Sequence, residues 1–490
     1  MIKLVFLELR KIFCRKSIYV IFFLMGLFCL LNNILYWTDY DEDGNYKYTS
    51  LDNLKKEEEK LQEELKKYDI TRDDDVSTYL TIHTKLDLIK LKKQFPSTSW
   101  QYRKIDTYMY QIVYQLNYCN YKKEAECIIS AVEEEYTEVL EKFKQDDWKY
   151  FLEKQKDELK ERQKDIESQL SQVTIQQEKS DLEQSLSETK QQIKILTYRL
   201  ENNIKEDSSY LNVALEAYQE NKQIVMHYQE LNKNLNRQEE LEYRDALKKM
   251  KINQYIVNHR QNINKQNNLN YQLRTIVEDY EIFIVILILI IGSTIICDEF
   301  RDGTIKLLLI KPYSRGKILI SKYFASIVVL AISVIFLILL QLIVGGFIFG
   351  FDSLDIPVVV YHFKLAKIVT YPVFSYMFIR ILAKLPLLFM LLTISILLGI
   401  LFSSNVVSIT IPLLLYMFSF SLRTLTVQYH IQFMRYLVTM NWNFQDYLFG
   451  GISDFSLINF QFSCIVWIIY FIIIVVLTFI CFKKKNIRNI

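Results

Sequence analysis

Five stretches of this sequence carry no charged side chain: Ser17–Thr38, Ile282–Cys297, Tyr323–Phe351, Leu385–Leu422 and Phe455–Phe482. A helix needs about 20 apolar residues to cross the hydrocarbon core of a bilayer, so each stretch reads as membrane-spanning. The fourth is too long for one crossing, and Ser403-Ser404-Asn405 interrupts it, which implies two helices joined by a tight turn. The expected fold is therefore an all-α membrane protein with six transmembrane helices, at 17–38, 281–297, 323–351, 381–403, 405–422 and 461–482. Segments 352–380 and 423–460 become loops on one side, the second with helical apolar spacing at Val427, Ile431, Met434 and Leu437/Val438 that fits a short re-entrant or interfacial helix.

The charge missing from the spans is gathered in one insertion. Between Thr38 and Tyr280 lie 38 basic and 47 acidic residues, so the net +3 of the chain divides into an acidic insertion and a basic remainder. Basic residues cluster at Lys3–Lys16, Arg301–Lys322 and Lys483–Arg488, and such loops are retained on the cytoplasmic side. Six spans then place both termini in the cytoplasm and residues 39–280 outside the cell membrane. Residues 1–16 set apolar Leu4, Val5, Leu9, Ile12 and Phe13 against charged neighbours, which fits an amphipathic elbow helix on the inner interface. A cleavable signal peptide fits less well, because Asn32–Trp37 offers no small-residue cleavage site.

The insertion reads as long helices, with one proline, Pro96, between Ser50 and Tyr280. Leu152, Leu159, Ile166 and Val173 repeat every seven residues, as do Leu186, Ile193 and Leu200, the pattern of coiled-coil seams. The two runs are out of phase, and Ser180-Asp181-Leu182-Glu183 between them matches a helix-starting capping box. An antiparallel hairpin accounts for both facts; one continuous helix with a phase slip is the alternative. A later stretch from Leu211 to Leu235 is also helical and open to continuing into the second span. Tyr110, Tyr114 and Tyr118 share a face, for packing or for a ligand. Cys119 and Cys127 are too far apart along a helix to bridge unless a turn intervenes.

Enzymatic signatures are missing. His83, His227, His259, His362 and His430 are isolated from one another and from any cysteine pair, and there is no phosphate-binding glycine loop and no nucleophile elbow. The sequence predicts no catalytic or metal site, no cofactor bound by this chain and no nucleic-acid partner. No ionisable group is expected deep within a span, where Gln341 is the main strongly polar side chain. Gly346 and Gly350 are spaced for close contact between helices.

The segment 298–322 between the second and third spans is the most informative. Gly303 breaks the incoming helix, Ile305, Leu308 and Leu309 form an apolar face, Pro312 ends it, and Arg315 and Lys317 face solvent or headgroups. A surface of that kind suits docking of a cytosolic partner, or simple anchoring at the interface. The order Glu299, Gly303, Thr304, Leu308, Leu309, Pro312, Ser314, Arg315 and Lys322 closely resembles the permeases of type-2 ATP-binding-cassette (ABC) transporters, and Phe300 and Arg301 fall within the same candidate loop. The elbow helix, the turn at Ser403–Asn405 and the segment before the last span are similar too; the large coiled-coil insertion departs from that family. The resemblance implies a coupling loop that docks a separate cytosolic ATPase, in two copies, which binds ATP and Mg. It also implies a second permease subunit, identical or not, and export. The apolar spans fit an amphipathic or hydrophobic cargo such as an antimicrobial peptide or a lipid-like molecule. The competing expectation is a membrane-anchored coiled-coil scaffold or sensor without transport activity.

Overall fold

In the computed structural model, which describes residues 2–40, 50–68, 73–122, 126–173, 176–231, 234–304, 313–429 and 431–485, six helices are long and apolar enough to cross a membrane. The chain forms two compact units, residues 1–44 with 217–490, and residues 45–216. In the first unit, α1 (Ile2–Phe13) buries Leu4, Glu8 and Ile12, one residue per turn on a single stripe, while Ile2 and Phe6 stay exposed. Arg15 then leaves the helical region and α2 (Lys16–Asp39), the first apolar helix, begins.

The second unit holds helices and the turns between them, with no strand among its described residues. It contains α3 (Ser50–Leu65), α4 (Asp73–Lys92), α5 (Trp100–Lys122), α6 (Glu126–Lys144), α7 (Trp148–Leu170) and α8 (Gln176–Asn202). Its core is aromatic: Trp100 stacks on Phe143 at 5.0 Å, and Phe143 and Phe151 lie 4.8 Å apart. Leu152 near the start of α7 shares that core with Leu196 near the end of α8, and Glu167 pairs with Lys190 at 3.0 Å. The two helices therefore run antiparallel, as the phase shift between the heptad runs implies. The reversal comes earlier than the capping-box reading places it. Ser180 lies inside α8, because Gln176-Gln177-Glu178 are good helix formers and carry the helix further back. Tyr110 packs against the core and stacks on Tyr114 at 6.3 Å, and Cys119 is buried and free. The side chain of Cys127 falls outside the described residues.

Helix α9 (Tyr210–Glu230) does not continue into the second span. Asn236 caps α10 (Arg237–His259) through a reciprocal capping box with Glu239, and Arg260 ends it in a left-handed conformation. Asn268 caps α11 (Leu269–Asp279), and Tyr280 separates that helix from α12 (Glu281–Arg301), the second apolar helix. The remaining apolar helices are α13 (Arg315–Phe349), α14 (Val373–Phe402), α15 (Asn405–Gln428) and α16 (Phe460–Lys484). α12 is the central one: it packs against α13, α14 and α15, and Leu287, Ile288, Leu289 and Ile291 are fully buried. Asn33 of α2 and Gln341 of α13 exchange amide hydrogen bonds of 3.1 and 2.8 Å within this apolar surround, which satisfies both side chains at once.

Three local expectations are corrected. The segment 352–380 is not simply a loop but holds an antiparallel hairpin, β1 (Val358–His362) with β2 (Lys367–Tyr371), Val360 opposite Val369. Its β-branched runs favour extended backbone over helix. Beyond α15 the described residues form no re-entrant α-helix but three short 3-10 turns; the Asn441 amide donates to the carbonyls of Arg435 and Leu437 and holds the chain out of helical register. Gly346 and Gly350 do not form a helix-contact face. Gly350 ends α13 at φ +77°, and the Phe351 ring folds back over Gly346, where a Cβ would lie 2.2 Å from it.

Because Phe143 is fully buried at the centre of the aromatic core, Phe143→Ala should cost the second unit about 3–5 kcal/mol. Limited proteolysis is expected to cut residues 45–216 faster in the variant while fragments of the apolar helices stay protected. Unchanged protection would contradict the assigned core.

A buried ion cluster as the candidate functional site

The segment 298–322 is held at both ends by charges that lie far apart in sequence. Lys322, fully buried in the second turn of α13, donates to Glu8 at 3.0 Å and to the Ile295 carbonyl at 2.9 Å, and lies 2.8 Å from Glu299. Glu299, near the end of α12, also accepts from Lys11 at 2.6 Å. Two lysines and two carboxylates thus balance, with Lys322, Glu8 and Glu299 buried and Lys11 at the solvent edge. Burial opposes the charge on Lys11, yet Glu299 and then Glu8 outweigh it and raise its pKa. Beside this quartet, Arg15 pairs with Asp298 and donates to the Thr294 carbonyl at 3.0 Å. The Asn405 amide donates to Asp298 at 2.8 Å while its oxygen accepts from Ser293 at 2.8 Å, so the tight turn between α14 and α15 joins the same assembly.

The turn itself is built as its sequence suggests: Ser403 is left-handed at φ +53°, and Asn405 opens α15. Lys485, after the last helix, donates to the Ile400 carbonyl and to the Ser403 hydroxyl at 2.7 Å, capping α14, and its ammonium lies 4.8 Å from the centre of the Phe300 ring. α1, the C-terminal end of α12, the start of α13, the 403–405 turn and the end of α16 therefore meet at one end of the bundle.

The eleven residues singled out in the sequence divide by position. Glu299, Phe300 and Lys322 are buried and committed to contacts within the chain. Arg301 is exposed and pairs with Asp298 and Asp302, each at 3.2 Å. Gly303 turns the chain at φ +65°, a conformation that favours glycine, and Thr304 is exposed. Ser314 caps α13 by accepting from the Lys317 amide at 3.4 Å, and Arg315 donates to the Lys483 carbonyl at 2.6 Å. Leu308, Leu309 and Pro312 lie outside the described residues. Glu8, Lys11, Arg15, Asp298 and Asn405 were not among the eleven. One signal for Glu8 was available: it is an acid on the otherwise apolar stripe Leu4–Glu8–Ile12. Lys322 lies just before the expected third span, 323–351, but the helix begins earlier, at Arg315, so this lysine is fully buried near the start of α13.

Removing one member of a buried ion group leaves a charge without a partner, a loss of about 3–5 kcal/mol. Lys322→Met should lower the thermal unfolding midpoint of the purified protein sharply, because Lys11 then faces two carboxylates. Adding Glu8→Gln restores a one-to-one pair and should recover at least half of the loss. A double variant no more stable than the single one would contradict the cluster.

A family model described as a protein of unknown function, DUF2705, matches residues 247–488, which take in α11 to α16 and the α12 and α13 arms of the cluster. No curated protein and no solved structure matches the chain.

Proposed function

We propose that this chain is the membrane-spanning permease subunit of a type-2 ABC transporter, an exporter of an amphipathic or hydrophobic cargo driven by ATP hydrolysis on a separate cytosolic ATPase. In this reading residues 298–322 are the coupling loop, residues 39–280 are extracellular, and a second permease subunit completes the pathway. The observation that carries it is the fastening of that loop. Lys11, Glu299 and Lys322 join α1, α12 and α13 at the base of the loop, and Arg15, Asp298 and Asn405 add the turn before α15. A force applied to the loop tip would therefore reach four elements together rather than be absorbed by a slack linker. The arrangement also brings the first helix and Lys485 to the same end of the bundle, as an even number of crossings requires. Ile2, Phe6, Ile465 and Ile472 leave apolar surface outward, suited to lipid or to a second permease subunit.

Affinity purification from native membranes tests the proposal. The wild-type chain should bring down an ATPase polypeptide that has no spans of its own. Leu308→Asp with Leu309→Asp should reduce its recovery by roughly tenfold or more, because charge at an apolar docking face loses several kcal/mol of contact. Purification without any ATPase would favour the scaffold or sensor reading instead.

A further inference from the structure

At the other end of α12 from Glu299 lies a cavity of 480 Å³, walled by α10, α11, β1, the start of α14 and the turn at 445–451. That volume is within the range of small-molecule sites, about 300–1,000 Å³. Two carboxylates line it, and each is already matched: Glu278 by Arg380, and Asp446 by Arg423 at 2.5 Å. Two cations that line it are not. Arg274, on α11, rests 4.9 Å over the Tyr271 ring and meets no carboxylate among the described residues. Lys248, exposed on α10 at the rim, likewise has none. Burial lowers the pKa of the Arg274 guanidinium, opposed mainly by Tyr376 and Tyr271. Partly withdrawing a guanidinium from water without an anion is costly, and the Tyr271 ring and Tyr376 offset that cost only in part, because neither supplies a carboxylate.

Donors are in surplus as well. Nε of Arg380 and Nε2 of Gln445 are buried without an acceptor, and both residues line the cavity. The facing wall is apolar, formed by Val358–Tyr361 of β1 with Phe363 and Phe449. Phe363 is held there by the hydrogen bond that its backbone N–H donates to the Phe449 carbonyl at 2.9 Å.

We propose that this cavity binds the anionic head group, carboxylate or phosphate, of an amphipathic molecule. Arg274 and Lys248 take the charge, the Arg380 and Gln445 donors orient it, and β1 with Phe363 and Phe449 covers the adjoining apolar part. The proposal does not rest on coupling to an ATPase, since binding is a property of this chain alone and is measured without nucleotide.

Equilibrium binding of radiolabelled dodecanoate to the full-length chain in phosphatidylcholine nanodiscs tests it. The wild type should bind one dodecanoate per chain saturably, and neutral dodecanol should not. Arg274→Gln and Lys248→Gln should each weaken binding by roughly tenfold or more, about 1.4 kcal/mol. Lys248 is exposed, so its variant should keep the wild-type melting temperature and separates lost binding from lost folding. Phosphatidylglycerol in the disc should compete if lipid headgroups use the site, and should leave dodecanoate binding unchanged if a free amphiphile does; either result supports the site and names its source. Equal affinity in wild type and both variants, or saturable dodecanol binding of the same strength, overturns it.

Discussion

Lys322 has no exposed surface and three polar partners, and the arrangement of this end of the molecule follows from satisfying it. An ammonium in an apolar bundle is tolerated only where carboxylates and carbonyls surround it. Glu8 and Glu299 supply them, which requires α1 to lie against α13 and α12 to end beside both. Lys11 then balances the second carboxylate. Buried ion groups contribute little net stability compared with an apolar core of the same shape, but they tolerate few alternative arrangements. Here the selected arrangement fixes where the 298–322 segment leaves and re-enters the bundle.

The two ends of α12 do different work. At its C-terminal end every buried charge has a partner within the chain, and the assembly joins elements separated by hundreds of residues. At its N-terminal end lies a cavity with two uncommitted cations and an apolar wall. α12 spans the distance between them, roughly 30 Å at 1.5 Å per residue, and packs on α13, α14 and α15. A motor acting at one end and an amphipathic ligand held at the other would share this one helix.

Much of this was legible in the sequence because membrane helices announce themselves by composition. The uncharged runs located six helices, and Ser403-Ser404-Asn405 located the turn between α14 and α15 within a residue. Heptad phase located the α7–α8 reversal, although Ser180 was misread as its cap. What failed had two causes: partners distant in sequence, and a local rule overridden by its neighbours. Glu8 and Lys322 are 314 residues apart, and nothing near either names the other. The β1–β2 hairpin carried a local signal in Val358–Tyr361 and Ile368–Thr370, but its apolar residues also satisfied the expectation of a plain loop beside a span. Gly350 looked like a contact glycine and is a helix terminus, because only the position of Phe351 decides between the two.

The central claim is that the tip of the 298–322 segment is a docking surface for a separate ATPase, and contact mapping tests it most directly. A photoreactive amino acid placed at Leu308 in native membranes should, on irradiation, form a crosslinked product containing an ATPase polypeptide, with the same substitution at exposed Ile472 on α16 yielding none. A Leu308 crosslink only to lipid or to a second copy of this chain, under conditions where the protein is folded and membrane-inserted, would contradict the account.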